Sequence, residues 1–466
     1  MPNQSQIASS RAAESRNPAT GEFLERFEFQ AKAEIEGVLA DAFRGFQHWR
    51  KTAMEERVAV FRHMAQALRA NAQLFAETIT REMGKILQEA KDEIGKCAKE
   101  CEWYAEHGPK LMADEPAPMD GSTAYVSYLP IGPVLGVMPW NFPFWQPMRA
   151  AVPILLGGNT MVLKPAPNVM RCALHLQNAW QQSGLPAGVF TILNAAHEDV
   201  EEVIGDRRIA AATVTGSPRA GAAVAAAAGR ALKKSVLELG GSDPFIVLAD
   251  ADLHRAVEQG IKARFSNAGQ VCISAKRFIL EEPIAYEFTE RFVEAVRKLT
   301  VGDPMNPATK LGPIARDDLR GTLDQQVRST VTAGAGVLTG GHALSGKGFF
   351  YAPTVLNDVG PGMSAFDEET FGPVAALTVA RDAEHAIDLA NQSVYGLSGN
   401  LWSGNEARAR ELARRLETGG VFINGFSASD PRVPIGGVKN SGYGRELSYY
   451  GPREFLNAQT VWLNRP

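Results

Sequence analysis

The chain has 466 residues, which is too long for a single hydrophobic core, so we expect two or three domains. Its 48 basic and 52 acidic residues give a net charge of −4, which argues against a nucleic-acid or anionic-membrane partner. No apolar run approaches the ~20 residues that span a bilayer. The amino terminus also lacks the basic start and apolar core of a secretory signal. We therefore expect a cytoplasmic protein.

The four cysteines are too few and too scattered for a disulfide framework, so reduced thiols are expected. Cys97 and Cys101 stand four apart on a predicted helix, with no histidine or second cysteine pair nearby. We interpret them as packing residues and predict no metal site.

The first hundred residues are predicted to be helical. Apolar residues recur with helical spacing over 35–49, 58–75 and 86–101. Between 123 and 130 the period changes to two, and Pro130 and Gly132 follow, which predicts a strand at or near an exposed sheet edge.

From residue 134 onward, strand-like and helix-like segments alternate, which predicts a parallel sheet with helices on both faces. The predicted strands are 134–138, 160–164, 189–193, 210–215 and 235–239. A second alternating set extends from 244–248 to 421–424, so a second α/β domain is expected to begin near Gly240. The aromatic tail, 442–466, could join the strand at 123–130 in completing a neighbouring subunit's sheet.

Unusual polar and glycine residues follow four of these strands. They are Asn141, Lys164, the pair Gly216-Ser217, and Glu238. Ligands of open parallel sheets bind beyond the carboxyl ends of the strands, so we expect these residues to line one cleft. No P-loop is present, which disfavours ATP-driven phosphoryl transfer. A helix that begins near Pro218 could point its first amides at a phosphate, or Ser217 could simply cap it.

Cys272 lies in a bend between Gly269 and an apolar run. A thiol in a bend can reach a cleft, although a buried, inert cysteine is the commoner case.

Four motifs in this order resemble the aldehyde dehydrogenase family: Pro139-Trp-Asn-Phe-Pro143, Glu238-Leu-Gly-Gly241, Gly269-Gln-Val-Cys272 and Glu369-Thr-Phe-Gly-Pro373. The resemblance covers nearly the whole chain. Further segments resemble the bacterial succinate-semialdehyde dehydrogenase branch: Leu239-Gly-Gly-Ser-Asp-Pro-Phe245, Ser274-Ala-Lys-Arg-Phe278 and Gly442-Tyr-Gly-Arg-Glu-Leu447.

The resemblance implies an α/β fold with two doubly wound parallel-sheet domains and a small β oligomerisation element. We predict a dinucleotide-binding domain over 1–118 and 134–240, and a catalytic domain over 241–435. Segments 119–133 and 442–466 would form the oligomerisation element of a homodimer or homotetramer.

The resemblance also implies three catalytic roles. The Cys272 thiolate would add to an aldehyde carbonyl, giving a thiohemiacetal and then a thioester. The Asn141 amide and the Cys272 backbone N–H would hold the developing oxyanion. Glu238 would activate the water that cleaves the thioester, and a partly desolvated carboxylate there would be a better base near neutral pH.

NAD or NADP is the implied cofactor. Relatives that prefer NAD often carry a glutamate where this chain has Pro167, and its loss removes a repulsion against the 2′-phosphate of NADP. We therefore expect tolerance of both cofactors. The residues implied in cofactor binding are Trp140, Lys164, Pro167, Gly216, Ser217, Leu239, Glu369 and Phe371.

The predicted substrate is succinate semialdehyde, with Arg149 and Arg432 as candidate anchors for its carboxylate. Taken alone, each of these arginines is more often a surface or salt-bridged residue. A further arginine frequent in the family is absent, because Ser266 stands at its position. Three alternatives stay open: a broad-specificity aldehyde dehydrogenase, an inactive protein that kept the fold, and a cysteine hydrolase. A CoA-acylating relative is disfavoured by Glu238, which that chemistry does not need.

Overall fold

A computed structural model describes residues 12–120 and 122–464. Its helices are α1 (Lys32–Trp49), α2 (Met54–Ala70), α3 (Ala72–Met83), α4 (Leu87–Leu111), α5 (Trp145–Leu156), α6 (Met170–Gln182), α7 (Val200–Gly205), α8 (Pro218–Arg230), α9 (Leu253–Phe265), α10 (Glu282–Arg297), α11 (Asp317–Thr332), α12 (Ser364–Asp367), α13 (Ala383–Asn391), α14 (Glu406–Ala413) and α15 (Tyr450–Glu454).

The strands are β1 (Ala12–Arg16), β2 (Phe23–Glu28), β3 (Glu115–Met119), β4 (Ser122–Pro130), β5 (Pro133–Val137), β6 (Thr160–Lys164), β7 (Phe190–Ile192), β8 (Ala211–Thr215), β9 (Lys234–Glu238), β10 (Asp243–Val247), β11 (Ala275–Glu281), β12 (Gly336–Thr339), β13 (Thr354–Asn357), β14 (Val374–Ala380), β15 (Tyr395–Gly396), β16 (Gly399–Trp402), β17 (Val421–Ile423), β18 (Val438–Lys439), β19 (Gly442–Tyr443) and β20 (Leu456–Asn464).

Two large sheets carry the fold. The first has the order β19-β9-β8-β5-β6-β7 and the second β12-β13-β14-β11-β10-β16-β17. Neighbouring strands are parallel except for β19 in the first sheet and β12 in the second. Separate apolar clusters form from the strands and helices of each sheet. The predicted α/β architecture with two parallel sheets is therefore confirmed, whereas the division into domains stays a prediction.

A third sheet lies apart from these two and has the order β20-β4-β3, antiparallel throughout. The strand predicted at 123–130 is its middle strand, so the expectation of an edge position was wrong. Pro130 ends this strand. Its two partners are β3 and β20, and the sequence of β4 alone does not show that both pair with it.

The amino-terminal region also differs from the prediction. Residues expected to be helical include the antiparallel pair β1 and β2, and the apolar stripe over 58–75 is divided by Asn71 into two helices. Strand β1 has the sequence Ala-Ala-Glu-Ser-Arg, with little intrinsic β propensity. Its pairing with β2 and its packing on α3 and α6 hold it extended, and neither is a local signal.

The carboxyl-terminal segment returns to the first sheet beside β9. Gly442 pairs with Glu238, and the Leu239 N–H donates to the Ser441 carbonyl at 3.0 Å. Gly442 has φ +108°, and a Cβ there would lie 2.1 Å from the Leu237 carbonyl oxygen, so only glycine fits this position. Over the described ranges, every helix is too short or too polar to cross a membrane.

Candidate active site

Cys272 follows a strained bend between α9 and β11. Asn267 and Ala268 both have φ 52°, and Gly269 has φ 73°. Left-handed backbone is uncommon at non-glycine residues and persists only where the surroundings impose it. A Cβ on Gly269 would lie 2.2 Å from the Gly372 carbonyl oxygen, so this glycine allows the bend to pack against the loop before β14.

The bend is tied to the loop that follows β5. The Asn267 side-chain amide donates to the Asn141 carbonyl at 3.0 Å, and the Asn141 amide donates to the Gln270 carbonyl at 3.0 Å. The Asn267 backbone N–H donates to Glu89 Oε2 at 3.0 Å. These reciprocal bonds hold Asn141 and the cysteine loop together across the boundary between the two large sheets.

Two cavities meet at Cys272, and Cys272 and Gln146 line both of them. We call them the front cleft, about 230 Å³, and the rear cavity, about 190 Å³. The front cleft is further lined by Pro139, Trp140, Asn141, Thr215, Gly216, Ser217, Glu238, Leu239, Gly240, Leu319, Glu369 and Phe371. Other residues around the rear cavity include Lys96, Phe142, Trp145, Arg149, Lys262, Ser266, Phe426, Ser429 and Ile435.

The front cleft contains most of the residues expected at the ends of the first-sheet strands. Asn141, Gly216, Ser217 and Glu238 lie in its wall. Lys164 does not, although it ends β6 next to Val137 of β5 and is only 4% exposed. Burial lowers the pKa of Lys164 to about 8.

Cys272 is partly exposed as a residue, whereas the other three cysteines are buried. Burial raises its pKa to about 11, and the charges of Arg149 and Lys276 act in the opposite direction. Lys276 contacts the backbone of the cysteine loop. Its ammonium donates to the Cys272 carbonyl at 2.6 Å and lies 3.6 Å from Glu369 Oε1. The thiol therefore needs activation before it can attack a carbonyl near neutral pH.

Glu238 ends β9 in the wall of the front cleft and is 3% exposed. Burial raises the pKa of its carboxyl group, and Arg149, 3.9 Å away, acts in the opposite direction. Its Oε1 atom has no hydrogen-bond partner among the described residues. A carboxylate with a raised pKa in the wall of a cleft that also contains a thiol can accept a proton from a water molecule there.

Asn141 can serve as an oxyanion donor. Its amide nitrogen carries two hydrogens, one of which is used by the Gln270 carbonyl. The other has no acceptor among the described residues, and Asn141 lines the cavity that contains Cys272. Because the bond to Gln270 holds the amide in place, little reorganisation is needed when negative charge develops there.

The front cleft fits a dinucleotide. Ser217 Oγ caps the 13-residue helix α8 by accepting the Ala220 N–H at 3.3 Å, and Pro218 is the first residue of that helix. Trp140 and Phe371 meet edge to face, with ring centroids 5.7 Å apart. A Cβ on Gly240 would lie 2.2 Å from Glu369 Oε2, so the bare backbone there leaves the floor of the cleft open to Glu369.

The two candidate substrate arginines have different surroundings. Arg149 is 2% exposed in the wall of the rear cavity, with its guanidinium paired to Glu446 and 3.9 Å from Glu238. Arg432 lies outside both cavities, with a largely exposed side chain paired to Asp430 at 2.7 Å. Their roles in substrate binding stay predictions.

Three further residues at the site were not singled out from the sequence: Gln146, Lys96 and Lys276. Gln146 is 2% exposed, and its Oε1 atom has no partner among the described residues. Its position one helical turn before Arg149 could have indicated a shared face. Lys276, four residues after Cys272, had no comparable signal. No group of three or more potential metal ligands occurs within 12–120 and 122–464.

Comparison with known proteins gives a consistent result. The family model described as "Aldehyde dehydrogenase family" matches residues 6–461. The chain is 54% identical over 449 residues to the NAD(P)+ succinate semialdehyde dehydrogenase Sad of Escherichia coli (strain K12), covering 96% of this chain and 97% of that protein. It is 46% identical over 450 residues to the NADP(+) succinate-semialdehyde dehydrogenase of Mycobacterium leprae, covering 96% and 98%. The crystal structure of Streptococcus pyogenes succinic semialdehyde dehydrogenase in complex with NADP+ superposes with a TM-score of 0.96, at 36% identity, covering 97% of this chain and all of that one.

Proposed function

The chain belongs to the aldehyde dehydrogenase family, and we propose that it oxidises succinate semialdehyde to succinate with NAD or NADP. The observation that carries this proposal is the position of Cys272. Its thiol lies where a cleft that fits a dinucleotide meets a second cavity bordered by cationic side chains. An aldehyde in the rear cavity could reach the thiol without crossing the front cleft.

The first step is addition of the Cys272 sulfur to the aldehyde carbon. The carbonyl π electrons move to oxygen, and the Asn141 amide and the Cys272 backbone N–H stabilise that oxyanion. Lys276 and Arg149 favour the thiolate electrostatically, which offsets part of the burial penalty on the thiol.

NAD or NADP, when bound, supplies an acceptor for the hydride that leaves the substrate carbon. In the chain, Glu369 and Phe371 would hold the nicotinamide end, with Trp140 and Leu239 lining the groove. Gly216, Ser217 and Lys164 would hold the rest of the dinucleotide. Pro167 supplies no carboxylate at the position where one would repel a 2′-phosphate, which supports use of both cofactors.

The last step is hydrolysis of the thioester on Cys272. Glu238 takes a proton from water, the water oxygen attacks the acyl carbon, and the carbon–sulfur bond breaks to release the carboxylic acid and the thiolate. The position of Glu238 in the cleft wall and its raised pKa support this role. The deprotonated form of Glu238 is the active base, so hydrolysis should accelerate as pH rises through its raised pKa.

Arg149 and Arg432 remain candidate contacts for the substrate carboxylate, and a cytoplasmic homodimer or homotetramer remains our proposal for the assembly. The exposed apolar side chains of β20 support association of copies.

Oxidation of aldehydes can be tested by following NADH and NADPH absorbance with C2–C6 aldehydes and semialdehydes. We expect kcat/KM for succinate semialdehyde to exceed that for butanal by at least about tenfold, because the proposed site contacts the distal carboxylate, which butanal lacks. Glu238→Gln should give a burst of reduced cofactor equal to the enzyme concentration and then slow turnover, because only hydrolysis is impaired. Cys272→Ala should give no burst.

Equal kcat/KM for charged and uncharged aldehydes would favour a broad-specificity enzyme instead. Absence of reduced cofactor with every aldehyde would refute the proposed activity and leave an inactive protein of this fold.

A further inference from the structure

Three cationic side chains border the rear cavity, and two of them are already paired with carboxylates. The Arg149 guanidinium contacts Glu446, and Lys262 contacts Glu258 at 2.7 Å. Lys96, by contrast, has no carboxylate oxygen within 4.0 Å among the described residues. The carboxylates of Glu93, Glu100 and Asp430 act on Lys96 only from beyond ion-pair distance.

Lys96 lies on α4 and is half-buried. Its ammonium lies 4.0 Å from the centre of the Trp145 ring and donates to Ser429 Oγ at 2.6 Å. An ammonium has three N–H donors, so two remain without an acceptor in the described part of the chain. The surroundings of Lys96 therefore orient the ammonium but do not satisfy it.

The hydroxyl of Ser429 also lacks one hydrogen-bond partner. Its oxygen accepts from Lys96 and from Trp145 Nε1, the latter at 3.1 Å. Neither bond uses the hydroxyl proton, and no acceptor for that proton occurs within the described ranges. A cation and a hydroxyl donor are thus held side by side at the same cavity wall, and both can donate to one anion.

Burial of a cation that lacks an ion-pair partner is unfavourable. Desolvation, with a smaller contribution from the Arg149 charge, lowers the pKa of Lys96 to about 8, while the Glu100 and Glu93 carboxylates act in the opposite direction. Such an arrangement is typical of a binding site whose ligand supplies the missing charge. Apolar side chains, Phe142, Phe426 and Ile435, form other parts of the wall and suit a short hydrocarbon chain.

We propose that Lys96 binds the distal carboxylate of the semialdehyde while the aldehyde carbon lies at Cys272, and that this contact determines the preference for a carboxylate-bearing substrate. The inference rests on the proposed function. Ser266, which replaces an arginine frequent in the family, borders the same cavity. Lys96 thus supplies a cation from a different element of the fold.

Lys96 and Ser429 also border an outer cavity of about 680 Å³. The two residues therefore stand between this outer cavity and the rear cavity at Cys272. A substrate anion that enters from the outer cavity passes Lys96 on its way to the thiol.

The test compares succinate semialdehyde with butanal in Lys96→Met, Lys96→Arg and the matched control Lys110→Met. Lys110 is exposed on the same helix and borders neither the rear nor the outer cavity, so its variant removes the same charge away from the site. Lys96→Met should raise KM for succinate semialdehyde about 100-fold with little change in kcat, since a hydrogen-bonded charge contact is lost. Its kinetics with butanal should stay within about twofold of the unmodified chain. Lys96→Arg should recover most of the loss.

Inhibition by succinate gives a readout that does not depend on the chemical step. Its inhibition constant should rise in Lys96→Met in parallel with KM, and should be unchanged in Lys110→Met. Parallel losses for both aldehydes, or an unchanged inhibition constant, would overturn the role of Lys96.

Failure of the proposed function would have a different signature. In that case the unmodified chain itself would show no preference for succinate semialdehyde over butanal. If the unmodified chain has the preference and Lys96→Met retains it, the proposed function stands and only the role of Lys96 is refuted.

Discussion

At the scale of single residues, the Cys272 thiol combines access to a cavity with a pKa raised to about 11 by burial. The thiolate is the reactive form. While the pH is below the pKa, each increase of one pH unit raises the thiolate fraction about tenfold. In the cofactor-free protein, the rate of alkylation by iodoacetamide should therefore still be rising at pH 9 to 10. The measurement is the fraction of each cysteine-containing peptide that is labelled, identified by its mass, as a function of time and pH.

The remaining cysteines provide an internal control. Cys97, Cys101 and Cys172 are fully buried, and burial raises the pKa of each well above its usual range. They should stay unlabelled while the protein is folded. A rate for Cys272 that levels off near pH 8 would contradict the raised pKa.

The site residues differ in how far the sequence could predict them. Asn141, Glu238 and Cys272 lie in short motifs that follow strands or a glycine bend, and the cleft brings them together. Lys96 carries no such local pattern. Its partner Ser429 is 333 residues away, so their proximity depends on the packing of α4 against a late loop.

At the scale of elements, the joint between α4 and α5 positions the loop that contains Asn141. Glu93 Oε1 accepts the backbone N–H groups of Phe144 and Trp145, each at 2.9 Å, and its other oxygen pairs with Lys85. Both charged side chains are almost fully buried. Glu93 therefore satisfies the amino-terminal amides of α5 and neutralises Lys85 at the same time.

Glu93→Leu should destabilise the protein by about 3–5 kcal/mol, because a buried ammonium and two N–H groups lose their partner. Thermal unfolding should show a lower Tm, and activity should fall with displacement of Asn141. Glu106→Leu is the control, since Glu106 is an exposed carboxylate on the same helix.

The double variant Lys85→Met/Glu93→Leu separates the two causes. It removes the unpaired charge and should recover part of the lost stability. A double variant no more stable than Glu93→Leu would indicate that the unsatisfied amides alone account for the loss.

Periodicity predicted the first five strands of the α/β region, β5 to β9, to within one residue at each end. The predicted strand at 160–164 coincides with β6. The pattern failed where an element depends on its neighbours. β1 is a strand because it pairs with β2, and β4 is a middle strand because β3 and β20 cover both of its sides.

At the scale of the whole molecule, the third sheet has two edges of different character. β3 carries Pro116 and Pro118, which cannot donate backbone hydrogen bonds and so discourage pairing. β20 has no proline, and its Trp462 and Leu463 side chains are 55% and 52% exposed. The β20 edge is therefore the better candidate for contact between copies of the chain.

Trp462→Asp should shift the proposed dimer or tetramer toward monomers, because a charge would replace apolar area at the contact. Light scattering coupled to size-exclusion chromatography measures the mass directly. Tyr286→Asp is the control, since Tyr286 is an even more exposed aromatic, at 79%, on α10. An identical oligomer in both variants would exclude the β20 edge as the contact.

The pairing of Gly442 with Glu238 has a consequence for synthesis on the ribosome. The strand that bears the carboxylate is translated about midway along the chain, but its neighbour β19 emerges some two hundred residues later. A nascent polypeptide can therefore display Cys272 long before β9 has its last hydrogen-bonding neighbour. Products of premature termination between residues 272 and 442 would keep the thiol and lack the finished sheet around Glu238.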